Sequence, residues 1–111
     1  MLFRSPTPGY DAYSIISVSA PATGSKTAYT DLVIVTTSDV TKVRLNNNNG
    51  KTVTYLKTSN NVNAVDNGDG TMTWNIRYRF ATVGEQTWGV QCRGNAWSAV
   101  EDATSFTITI A

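Results

Sequence analysis

From Thr71 to Phe80 every second residue is apolar: Met72, Trp74, Ile76, Tyr78 and Phe80 take one side, and Thr71, Thr73, Asn75, Arg77 and Arg79 the other. Successive side chains of a strand point to opposite faces, so this stretch predicts a half-buried strand. Wound into a helix, the same apolar residues would spread around the whole cylinder and define no face. An apolar strand face is stable only against a second packed layer, so the stretch already demands a sheet with something stacked on it.

The same alternation recurs. In Thr87 to Arg93, Trp88, Val90 and Cys92 oppose Thr87, Gly89 and Gln91, and in Ser105 to Ile110, Phe106, Ile108 and Ile110 oppose Ser105, Thr107 and Thr109. Earlier stretches are less regular. Tyr13 to Ala20 places Ile16, Val18 and Ala20 inward, with Ile15 out of phase. Tyr29 to Thr37 carries the run Leu32-Val33-Ile34-Val35 and predicts a central strand buried on both faces or nearly so. Val40 to Asn46 turns Val43 and Leu45 inward, and Lys51 to Lys57 turns Val53 and Tyr55 to one face, with Leu56 against the pattern. Composition agrees: Thr occurs 17 times and Val 11 times, while Leu occurs four times and Glu twice. A branched Cβ suits the pleated surface and loses χ1 freedom in a helix.

Turn chemistry separates the strands. Asn46-Asn47-Asn48-Asn49-Gly50 ends in the Asn-Gly pair favoured by tight hairpins, and Asp66-Asn67-Gly68-Asp69-Gly70 precedes the clearest strand. These segments give seven strands, with Val62 to Val65 available as a short eighth at an edge. The expected fold is all-β, an immunoglobulin-like two-sheet antiparallel sandwich of about seven strands. Residues 1–12, which include Ser5-Pro6-Thr7-Pro8-Gly9, read as a leader or linker, and residues 13–111 as the sandwich domain.

The 111 residues suit one domain, and a formal charge of +1 argues against nucleic acid or an anionic membrane as the main partner. The absence of histidine removes imidazole catalysis and His-based metal sites, and a single cysteine removes an internal disulfide. No apolar run approaches the ~18 residues of a membrane span, and the first residues lack the apolar stretch of a signal peptide.

Several segments together resemble the immunoglobulin-like and fibronectin-type-III-like modules of bacterial surface and secreted proteins. They are Ile16-Ser17-Val18-Ser19-Ala20-Pro21, Leu32-Val33-Ile34-Val35, Lys42-Val43-Arg44-Leu45, Asp69-Gly70-Thr71-Met72-Thr73-Trp74 and Gly84-Glu85-Gln86-Thr87-Trp88-Gly89-Val90. Two departures from the antibody branch stand out: Cys92 has no second cysteine, and Val90 occupies the place of the corner tyrosine. The resemblance implies an extracellular or cell-surface location and a monomeric, non-catalytic accessory module, a spacer or protein-interaction domain within a larger protein. Its partners would be neighbouring domains and a protein or polysaccharide ligand. No cofactor is expected.

Candidate sites follow from residue type. A rigid scaffold recognises partners through its loops, which here points to Asn46 to Gly50 with Asn48 and to Gly94 to Ser98 with Asn95 and Trp97. The alternative function is a carbohydrate-binding module in which Trp97 and a tyrosine, Tyr55, Tyr29 or Tyr10, form a stacking platform. Trp74 and Trp88, in phase with apolar neighbours, belong to the core. Asp66 to Gly70 fails the calcium-loop pattern and reads as a turn. Glu101-Asp102 is a solvated pair, and Asp31 and Asp39 read as turn caps. Lys42, Arg44, Arg77 and Arg79 could line one sheet face as a basic stripe, but they read as a solvated sheet surface with cross-strand pairs.

Overall fold

The computed structural model describes residues 14–47, 50–94 and 104–111. Nine strands lie among them: β1 (Ile15–Ser19), β2 (Thr23–Gly24), β3 (Thr30–Thr37), β4 (Lys42–Asn47), β5 (Thr52–Leu56), β6 (Val62–Asp66), β7 (Thr71–Tyr78), β8 (Gly84–Arg93) and β9 (Ser105–Ile110). One sheet has the order β1-β3-β7-β6 and the other β2-β9-β8-β4-β5. Every pairing is antiparallel except β2 with β9. This is the strand order of an immunoglobulin-like sandwich, with β5 added at one edge of the second sheet and the two-residue β2 at the other. The count exceeds seven because β6 forms the short edge and because β2 is too brief to leave an alternation in the sequence.

The clearest sequence pattern becomes the centre of the first sheet. β7 lies between β3 and β6, and Met72, Trp74, Ile76 and Phe80 are buried while Tyr78 is half-buried. Facing them across the sandwich are Val43 and Leu45 of β4, Trp88, Val90 and Cys92 of β8, and Ile108 and Ile110 of β9. Trp74 and Trp88 each remove on the order of 150–250 Å² from water. At ~25 cal/mol per Å² that is about 4–6 kcal/mol apiece, an upper bound set by an extended unfolded chain. The rings of Phe80 and Tyr78 stand edge-on to Trp88 at 5.4 and 5.6 Å, and Phe106 stands edge-on to Phe80 at 6.3 Å.

Two expectations are corrected. Ile16 does not point inward. The β1–β3 register shifts between Ile15 and Ser17, and this bulge leaves Ile16 54% exposed while Ile15, Val18 and Ala20 pack against the core. Nor is β3 buried on both faces. Leu32, Ile34 and Thr36 face the core, whereas Val33 and Val35 are half-buried on the outer surface, where no third layer of described residues covers them.

The chain crosses the sandwich lengthwise. Ser14 accepts a hydrogen bond from the Thr37 amide at the end where β3 finishes. β1 runs away from that end, and β2 continues alongside β9 until Gly24 meets the Ala111 amide at 2.9 Å. Described residues therefore begin at one end of the sandwich and finish at the other. The segment 1–12 lies outside the described residues.

Candidate functional site

A concavity of about 510 Å³ opens on the outer face of the first sheet. Register explains its lining. Val33 of β3, Asn75 of β7 and Asn63 of β6 occupy one row across three strands. The next row is Asp31 opposite Arg77, whose amide donates to the Asn61 carbonyl at 2.9 Å. The inward partners Leu32, Ile76 and Val62 contribute the backbone between the rows.

Three of these groups are fixed by contacts. Asn75 Nδ2 donates to the Asn63 carbonyl at 3.2 Å. Arg77 Nε lies 3.7 Å from Asp31 Oδ1, an exposed ion pair, and its guanidinium carbon sits 5.0 Å from the centre of the half-exposed Tyr29 ring. Asn61, immediately before β6, has φ 68° and is the one non-glycine residue with positive φ among those described. Asn tolerates this left-handed conformation because its short side chain bonds locally. Asp31, expected to cap a turn, instead projects from β3 toward Arg77.

A second cavity of about 240 Å³ lies where β7 gives way to β8. Tyr78, Phe80 and Trp88 line it with Asn47, Lys51 and Gln86. Trp88 Nε1 donates to Gln86 Oε1 at 3.0 Å, and Gln86 Nε2 in turn donates to the Thr82 carbonyl. The polar groups here are thus partly engaged with one another. Burial raises the phenol pKa of Tyr78.

Of the residues expected to bind, Trp97, Asn95 and Asn48 lie outside the described residues, as do Tyr10 and Glu101-Asp102. Tyr55 is placed, and its ring is no platform. It is 6% exposed on the inner face of β5 beside Val43, because the β5 alternation that makes it share a face with Val53 also turns it into the core. Its phenol is pushed up to about 12, first by burial and then by the neighbouring Tyr78. The four basic residues form no common stripe: Arg77 lies on β7 in the first sheet with Arg79 just beyond that strand, whereas Lys42 and Arg44 lie on β4 in the second, and the two outer faces point apart. Arg44 instead donates through Nε and Nη2 to Gln91 Oε1 on the adjacent strand, at 3.0 and 2.7 Å.

The Asp66 to Gly70 segment is organised by its own carboxylates. Asp66 Oδ1 accepts the Gly68 amide at 2.9 Å, and Asp69 Oδ1 accepts both the amide and the hydroxyl of Thr71. The Thr71 hydroxyl, followed by its amide, holds the Asp69 carboxyl below its ordinary value of 3.8. Among the described residues no three His, Cys, Asp or Glu side chains gather as a metal site would require. Among the described residues no helix is long and apolar enough to cross a membrane.

No protein-family model matches the chain, and a search of curated proteins finds no match.

The groove residues Asn61, Asn63 and Asn75 escaped the sequence reading. Alternation marks Asn63 and Asn75 as outward, but only strand order and register put them side by side.

Proposed function

We propose that the chain is a non-catalytic spacer and interaction module of a larger bacterial surface or secreted protein, joined in series to neighbouring domains. The observation that carries this reading is the lengthwise path of the chain, in at the Thr37 end and out beside Gly24. A domain threaded this way holds its neighbours at the two ends of a rigid body. Tension between those ends pulls β2 and β9 past each other along their length, because the two run parallel. Their hydrogen bonds, with those of β1 to β3, then resist together rather than opening one by one. The acids among the described residues, Asp31, Asp39, Asp66, Asp69 and Glu85, are all exposed, which is in keeping with a non-catalytic role.

Pulling single molecules by their ends tests the mechanical reading. One cooperative rupture is expected; stepwise opening of separate hairpins at low force would remove the support. For location, an antibody against the folded domain is expected to label intact source cells or their medium. Labelling only after lysis would overturn the surface assignment.

A further inference from the structure

The outer groove of the first sheet stands independently of the spacer reading, and its chemistry is specific. Asn63 and Asn75 pair across β6 and β7, and Asn61, just before β6, lines the same groove, so three carboxamides gather there. Same-face neighbours on paired strands lie ~4.5–5.5 Å apart between Cβ atoms. Each carboxamide offers an accepting oxygen and two donor hydrogens. Asn75 uses one hydrogen on the Asn63 carbonyl, which orients the amide and leaves its oxygen and second hydrogen for another group. A ligand that answers such a set must itself both donate and accept at closely spaced atoms. Adjacent hydroxyl groups do this; carboxylates and phosphates only accept, and ammonium groups only donate.

Charge narrows the class further. Asp31 and Arg77 share the groove and cancel. An anion drawn to the guanidinium meets the carboxylate, and a cation meets the reverse, so neither sign gains at range. A neutral ligand suffers neither penalty and still finds an acceptor and a donor fork at that end of the groove. Half-buried Val33 ends the row of Asn75 and Asn63 with an apolar surface, which suits the C–H face of a sugar ring. Beside the groove, the half-exposed Tyr29 ring is steadied by Arg77 and extends the surface with an aromatic plane. The volume, about 510 Å³, falls within the ~300–1,000 Å³ usual for small-ligand sites.

We infer that the groove formed by Asn61, Asn63, Asn75, Asp31, Arg77 and Val33 is a binding site for a short segment of a neutral oligosaccharide. The binding surface proposed here is thus a sheet face. Open positions along three strands favour an extended chain of sugars over a single one, and an exposed groove gives modest affinity, with Kd of roughly 0.1–1 mM.

The test is an array of neutral plant, fungal and bacterial oligosaccharides with acidic ones as comparators. Titration of the isotope-labelled chain, with its amide spectra recorded, then follows for each neutral sugar retained. Saturable shifts in the side-chain amides of Asn61, Asn63 and Asn75 are expected with at least one neutral sugar. Asn63→Ala and Asn75→Ala are each expected to weaken that binding by about tenfold or more with an unchanged melting temperature. Should Asn75→Ala fold poorly, the exposed Asn63→Ala decides. The proposal is overturned if the array retains no neutral oligosaccharide, if only acidic sugars bind, or if binding survives both substitutions. It is equally overturned if the shifts map to the free edge of β6, the pattern of an added peptide strand.

Discussion

The indole nitrogen of Trp74 donates to the Thr36 hydroxyl at 3.0 Å, and both residues are 0% exposed. Thr36 passes its own hydrogen to the Thr37 carbonyl at 2.9 Å. A threonine among Leu32, Ile34 and Ile76 therefore satisfies the one polar atom that a buried tryptophan brings into the core. Thr36→Val keeps the shape and strands the indole hydrogen. It is expected to cost about 1–3 kcal/mol in urea unfolding, while Thr36→Ser, which keeps the hydroxyl, costs less. Equal losses for the two would mean that the methyl group, not the hydrogen bond, matters.

Gly24 is where the terminal strands meet. A Cβ there would lie 2.9 Å from Thr30 Oγ1 and 3.1 Å from Ile110 Cδ1. Both neighbours are buried and have little room to yield. Gly24→Ala is expected to destabilise by about 1–3 kcal/mol through overpacking, read as a lower thermal midpoint. An unchanged midpoint would show that β2 moves aside freely.

Stability should decline at both pH extremes for different reasons. The Tyr55 phenol is raised from 10.0 to about 12. Below 10 it is neutral folded and unfolded alike; above, the unfolded chain ionises first, so stability falls as pH climbs toward about 12. Tyr55→Phe is expected to flatten that alkaline decline, leaving the smaller part due to Tyr78. On the acid side Asp69 is lowered, so its contribution is present above 3.8 and is lost as pH falls through the lower folded value. Asp69→Asn should remove that portion of the acid limb in pH-dependent melts.

Cys92 is 0% exposed on β8. A thiol so enclosed reacts only when the sandwich opens. Labelling by a maleimide is expected to be slow in native buffer and to follow the opening equilibrium as urea is added. Prompt native labelling would place the thiol at the surface and contradict the packing of β8.

Strand positions were legible wherever one face is dry and the other wet. Met72 to Phe80 states its own conformation, as do Val43 with Leu45 and Ile108 with Ile110. Ile16 leaves the alternation because a bulge changes phase by one residue without altering composition. Tyr55 shares a face with Val53 as its alternation predicts, but an aromatic ring does not reveal whether that face is wet or dry, and beside Val43 it is dry. Sheet membership was not legible: Arg77 and Lys42 look alike in sequence, and only the crossing from β5 to β6 sends them to opposite surfaces. The groove was hidden for the same reason, since Asn63 and Asn75 become neighbours through pairing across a turn, and Asn61 through a left-handed backbone.

The pairing of β2 with β9 joins Thr23 to Thr109, far apart in sequence. During synthesis this domain must wait, with the inner faces of β3 and β7 already made, until β9 leaves the ribosome. Ile108 and Ile110 then close the interior. A nascent chain halted before Ser105 would expose an unfinished apolar surface, and it is this interval, rather than the completed domain, in which a chaperone would find something to hold.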